Sequence, residues 1–279
     1  NSAWRIHQSE EIIHESCANE FRKASLEIAS KWWEIWLKNK LHVAFSEFTE
    51  KAFRIILENE DPAKPDLKTH YALAELLFQL NKFEPASDEY KFVGDRSQEP
   101  PVVHDADYGA LYSKEKSIDK EKTSVKEAQR KNLALNYVKK HPKGQYALPV
   151  SFKVGLIFYE EKNYEEAMKW LQPIAENKTN KELQIKAEDL ILDVSNIKKD
   201  YAQLKILSQQ FLKKNPDENR KKSMTKIFEE AHYSEIQESS KLGDKLSSAQ
   251  KLLEFVSTHP NSKLSASAQW QALSLLYSE

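Results

Sequence analysis

The chain has 279 residues, with 42 Lys or Arg against 43 Asp or Glu, a formal charge of −1, and only 5 Gly and 1 Cys. A Gly share well below the usual ~7% leaves little material for tight β-turns, P-loops or glycine-rich cofactor cradles. The near-neutral balance removes the basic excess of a dedicated nucleic-acid binder, and the lone Cys17 cannot close an internal disulfide. No run of about 18 apolar residues is present to span a membrane. A hydrophobic share of 40% suffices for a substantial core in one or two domains. A Gly-poor, highly charged chain of this kind favours helix. It opens on Asn1 with no charged-then-apolar leader, and so reads as a processed or excised piece with any targeting signal outside it.

Residues 1–60 are helical in pattern but degenerate. Phe21, Ala24, Ile28 and Trp32 fall on one helical face, followed by Phe45, Phe48, Ala52 and Ile56. Trp32, Trp33 and Trp36 hold half of the six Trp; on a helix Trp32 and Trp36 share a face while Trp33 points about 100° away. All three cannot easily bury against one neighbour, so an exposed Trp here marks a contact surface. Packing against an N-terminal element is the competing account.

From residue 61 a period emerges. Leu73-Ala74, Leu77, Phe83, Ala86 and Tyr90 are matched offset for offset by Val154-Gly155, Phe158, Tyr164, Ala167 and Leu171. Tyr108-Gly109 with Tyr112 repeats the first half, 35 residues after Ala74, and Trp270, Leu273, Ser274 and Tyr277 repeat it at the C-terminus. Small residues at Ala74, Gly109 and Gly155, and again at Ala86 and Ala167, let paired helices approach closely; no single hairpin buries its apolar face alone, so stacking makes the core. Asn163 and Asp200-Tyr201 mark hairpin turns, as does Gly243-Asp244. Gly144 also falls in an inter-helix turn. Helix-ending X-Pro steps recur at Asp61-Pro62, His141-Pro142, Asn215-Pro216 and His259-Pro260. Gly109 and Gly155 are 46 residues apart, about ten more than one repeat, and the excess is assigned to 113–131, as a longer helix pair or a charged loop. Roughly six and a half hairpins result.

These residues carry a resemblance: the W-x2-L-G-x2-Y spacing and its small-residue partners resemble the tetratricopeptide (TPR) repeat family. The resemblance implies an all-α fold, an α-solenoid of stacked antiparallel helix hairpins forming a TPR superhelix. Residues 1–60 would be degenerate N-terminal hairpins, and 61–279 TPR-like repeats with the charged insertion near 113–131. In that family the first helix of each pair supplies the ligand groove. Carried onto this sequence, the groove comprises Tyr71, Glu75 and Phe78, then Lys114, then Phe152, Leu156 and Tyr159, then Asp189 and Asp193. Tyr71 and Tyr159 read as groove residues; Phe152 and Leu156 fit groove or core equally. The carboxylate-clamp subtype needs Lys, Asn and Arg where Tyr71, Glu75, Phe152 and Leu156 stand, so it is not matched. The run from Glu254 to Glu279 resembles bacterial envelope TPR proteins, among them outer-membrane assembly lipoproteins and the Tol-Pal coordinator.

No catalytic constellation is evident, and the chain is not expected to be an enzyme. His7, His14 and Cys17 lack a second ligand pair and read as a helix face. His104, Asp105 and Asp107 read as caps and favourable charges at a helix start, and His141 and His259 belong to the helix-ending pattern. Asn177-Lys178-Thr179 is a chance sequon match. Residues 114–143 hold ten Lys or Arg against four Asp or Glu, while 1–20 hold four Glu against one Arg. The basic stretch has only Tyr137 to stack bases, so it reads as solvated helix. The expectation is a scaffold or adaptor without cofactor or metal. It would bind a protein or peptide partner and not nucleic acid. It has no transmembrane segment; any membrane association would be peripheral, through a partner or a lipid anchor outside the chain. The resemblance places it in the periplasm or envelope of a bacterium, with the cytoplasm as the alternative. The alternative function is a regulatory or docking domain of a larger enzyme or secretion machine.

Overall fold

The computed structural model describes residues 10–214, 216–241 and 244–277, and within these the side chains of 10–15 and of residue 18 lie outside the description. His7, Asn215 and Gly243 therefore fall outside the described residues, as does the side chain of His14. The described residues form thirteen helices and no strand. They are α1 (Glu10–Lys38), α2 (Val43–Glu58), α3 (Leu67–Gln79), α4 (Phe83–Arg96), α5 (Pro100–Lys120), α6 (Ser124–Lys140), α7 (Ala147–Glu160), α8 (Tyr164–Glu176), α9 (Lys181–Ile197), α10 (Tyr201–Leu212), α11 (Glu218–Ser240), α12 (Lys245–Thr258) and α13 (Ser265–Tyr277). Six hairpins and a single further helix follow, an all-α helical-repeat fold in which helices pack chiefly on their sequence neighbours. The chain forms two compact units, residues 1–150 and 151–279.

Most helix starts are capped by a side chain that satisfies an orphan backbone N–H. Asp66 accepts from Thr69, Thr123 from Lys126, Asn163 from Glu166, Asn180 from Leu183, Asp200 from Gln203, Asp217 from Arg220, and Asp244 from Leu246 and Ser247. Three hairpins share one turn. Asn81, Lys162 and Lys199 adopt φ of 58°, 60° and 56° directly before the next helix's N-cap. In each, the N-cap N–H reaches back to the last turn of the preceding helix: Lys82 to Leu77, Asn163 to Phe158 and Asp200 to Ser195, all at 2.9 Å. This is a helix C-cap of the Schellman kind, built with Asn or Lys where Gly is usual. The glycines serve instead for close approach. A Cβ on Gly109 would stand 2.9 Å from the Tyr90 ring, one on Gly155 2.9 Å from Leu171, and one on Gly144 2.9 Å from His104 Nε2. The charged stretch 113–131 is the end of α5, a short link and the start of α6, so the extra length lies in two long helices.

In residues 1–150 the core gathers Ala29, Trp36, Phe53, Ile56, Leu73, Ala74, Leu77, Ala86, Tyr90 and Ala110. Trp36, 4% exposed, is therefore part of this core, a correction to its reading as a surface contact. The reason is register: Ala29 and Trp36 face α2, one step around the helix from the Phe21–Ile28–Trp32 stripe. Trp33 packs edge-on to Phe53 at 5.9 Å between ring centroids. Trp32 tilts against Phe48 at 5.5 Å and lines an open apolar groove with Phe21, Ile28 and Ile55. Of the three, Trp32 stands at a surface groove. In residues 151–279, Tyr233, Ile236, Ala249, Leu252, Phe255, Ala268 and Ala272 make a second core. Trp270 and Tyr277 stand outside it, 75% and 86% exposed, because α13 docks through Ala268 and Ala272.

The two His-Pro helix ends are alike in three dimensions. His141 and His259 cap α6 and α12 with φ,ψ of −125°, 58° and −128°, 56°. Each meets a histidine of the preceding first helix edge-on, His104 at 5.2 Å and His232 at 5.4 Å. His104 and Asp107 accordingly sit inside α5, which starts at Pro100, rather than at its cap. His104 pairs with the Tyr137 hydroxyl at 2.7 Å and Asp107 with His141 at 2.8 Å.

Candidate functional site

On the first-helix face of residues 1–150, α3 presents Tyr71, Glu75 and Phe78 one helical turn apart. Tyr71 packs edge-on to Tyr90 at 5.6 Å, and the Tyr90 hydroxyl donates to Glu75. Phe78 lies 5.5 Å from Tyr112 of α5, and Tyr112 is stacked with Tyr108 at 6.1 Å. Tyr108 stacks in turn on Tyr146, just before α7, at 3.7 Å with the rings 11° from parallel. The result is an array of five partly exposed aromatic rings. Beside it a cleft of about 560 Å³ runs past Pro65, Tyr71, Pro101 and Val102, with Asp66, Lys68, Glu99 and Asp105 on its walls. Burial, together with the negative charges of Glu75 and Asp105, pushes the Tyr71 phenol up to about 12.

The sequence places Tyr71, Glu75 and Phe78 here and misses Tyr108, Tyr112, Tyr146 and Asp105. Tyr108 and Tyr112 were legible only as repeat positions. The spacing of Asp105, Tyr108 and Tyr112, three and then four residues along one side of α5, was the available signal. Lys114 does not join them, a correction to the predicted groove. It lies on the Ala106–Ala110–Ser113–Ser117 side of α5, 2% exposed, and its ammonium is held by Glu84 and, at 3.0 Å, by Gln129. Glu84 also accepts from Ser117, and these bonds hold its carboxyl below the usual range against the opposing effect of burial.

In residues 151–279, Phe152, Leu156 and Tyr159 are partly buried on α7. The Tyr159 hydroxyl donates to Asp193, and that bond is the main reason its phenol is pushed up to about 12. Asp189 is exposed and receives one arm of the Arg220 guanidinium at 2.8 Å; the other arm goes to buried Glu188, also at 2.8 Å. Lys214 reaches Glu188 at 2.9 Å. Asp189 and Asp193 line a cleft of about 340 Å³ with Leu192, Asn196, Tyr201 and Ile227. The structure thus joins Tyr159 to Asp193 and sets Asp189 on the same cleft.

Among the described residues no group of three or more His, Cys, Asp or Glu is arranged to hold a metal ion, and no helix is long and apolar enough to cross a membrane. No protein-family model matches the chain, and no curated protein matches it. Among solved structures the chain is similar to a Signal Transduction ATPase with Numerous Domains (STAND) protein with a tetratricopeptide repeat sensor from Pyrococcus horikoshii, at 14% identity and a TM-score of 0.41. That alignment covers 98% of this chain and 43% of the other, so the chain spans less than half of that protein's length. It is also similar to BtubC (BKLC) from P. vanneervenii, at 10% identity and a TM-score of 0.32, covering 92% of this chain and 87% of that one.

Proposed function

We propose that the chain is a non-catalytic adaptor that binds a peptide, helix or surface of a protein partner on the first-helix faces of its hairpins. One observation carries this reading. Tyr71, Phe78, Tyr108, Tyr112 and Tyr146 form an aromatic array outside the fully buried core, next to a cleft of about 560 Å³. Such rings present large, stiff contact area with little rotamer entropy to lose on binding. A role in a bacterial envelope complex is the narrower form of the proposal and rests on the resemblance of residues 254–279.

The test is a pull-down with the wild-type chain and a Tyr71→Ala, Tyr159→Ala double variant, each first shown to be folded by circular dichroism. Loss of one or more specific partners from the variant is the expected result. Retention of every partner overturns the assignment of these faces.

A further inference from the structure

The cleft beside α3 and α5 combines two kinds of group that together suit a cation. The first is aromatic: the Tyr71 ring on one wall. The second is carboxylate. Asp105 and Glu99 line the cleft, and Glu75 stands one turn along α3 from Tyr71. Among the described residues neither Glu75 nor Asp105 is paired with Lys or Arg. Glu75 accepts from the Tyr90 hydroxyl, and Asp105 meets His104 Nδ1 at 3.0 Å. Asp105 keeps 59% of its side chain exposed, so its charge faces solvent at the cleft mouth. Burial first, and then these same Glu75 and Asp105 charges, raise the Tyr71 phenol. Two cations of the chain itself are near: Lys68 on the cleft wall, and Lys116, whose ammonium lies 5.6 Å from the Tyr112 ring at the far end of the array. The second already uses the array as cation–π chemistry allows.

We propose that this cleft receives a Lys or Arg side chain from a basic segment of a protein partner, the charged head lying against the Tyr71 ring, with Asp105 and Glu99 on the cleft walls and Glu75 one turn along α3 as counter-charges. The proposal rests on the groove reading above and gives that groove its ligand chemistry. An ammonium or guanidinium gains from the Tyr71 ring and the carboxylates at once, whereas an acidic segment meets Asp66, Glu99 and Asp105.

The full chain is used to pan a displayed library of random peptides, and the recovered peptides are synthesised and titrated by fluorescence anisotropy. Peptides enriched in Lys or Arg are expected, with binding weakened by added salt. Asp105→Asn, a change at a largely exposed side chain, should weaken binding about three- to tenfold, and the Glu75→Gln, Asp105→Asn double variant further. Tyr71→Leu should weaken binding about tenfold while Tyr71→Phe, which keeps the ring, binds like the wild type. Thermal melting of each variant separates lost binding from lost fold. Recovery of neutral or acidic peptides that Tyr71→Leu still abolishes leaves the groove in place and overturns the cation inference. Basic peptides indifferent to Asp105→Asn and to the double variant overturn it as well. Recovery of no peptide at all overturns the groove reading together with it.

Discussion

Between α3 and α4 the imidazole of His70 is held at both ring nitrogens, by Glu89 at 2.6 Å and by Glu60 at 3.0 Å, and lies tilted against Phe92 at 4.1 Å. Burial opposes its charge, but the two carboxylates outweigh burial and raise its pKa. His232, beside His259 at 3.2 Å, is shifted the other way, by burial first and then by Lys205 and His259. The linkage signs are therefore opposite. The raised group adds stability that is fully present below its unfolded value near 6.5 and lost as pH rises through the folded one. The lowered group adds stability present above about 6.5 and lost as pH falls through its folded value. Melting of wild type, His70→Gln and His232→Asn across this range tests both. The deficit of His70→Gln should shrink with rising pH, and that of His232→Asn should shrink with falling pH. A second asymmetry lies at Lys114, 2% exposed, and Glu84, 39% exposed. Lys114→Met leaves Glu84 to water and should change stability by less than about 1 kcal/mol, whereas Glu84→Ala strands a buried ammonium and should cost about 2–3 kcal/mol, read from urea midpoints.

At the scale of the helix, hairpin boundaries were legible because the spacing of small and large residues repeats and because Asn163 and Asp200 announce their caps. The left-handed residue within each turn was not. A left-handed C-cap normally advertises itself by Gly, and here Asn81, Lys162 and Lys199 occupy it, so residue type carries no signal. The inward face of α5 is masked in the sequence for a related reason. Its Ala and Ser positions form the buried stripe, which draws Lys114 inward and leaves Tyr108 and Tyr112 on the opposite side. The C-caps lead to a directional prediction. A non-Gly residue in this conformation costs roughly 1–2 kcal/mol, partly returned by the lower entropy of its unfolded chain. Lys162→Gly and Lys199→Gly should each stabilise by about 0.5–1 kcal/mol, while Asn81→Gly, replacing a residue that tolerates the region, should stay close to neutral. A lower urea midpoint for both Lys variants would contradict the reading.

Across the whole chain, the grouping into residues 1–150 and 151–279 has no mark in the sequence, since the division falls inside the continuous helix α7 rather than at a Pro- or Gly-rich linker. What the repeat pattern does convey is that each helix is held by its neighbours in sequence, so stability should be local rather than uniform. Phe53 sits 2% exposed in the first core, edge-on to Trp33, and Phe255 fully buried in the second, against Tyr233 and His259. Truncating either leaves a cavity worth about 3–5 kcal/mol. Hydrogen exchange on the Phe53→Ala protein should show faster exchange in α1 to α4 with the amides of α11 to α13 unchanged, and Phe255→Ala should reverse the pattern. In a nearest-neighbour array the lost energy is confined to the helices that touched the ring, because no long-range pairing spreads it. Equal acceleration along the entire chain from either variant would instead mean that the repeats unfold as one cooperative block.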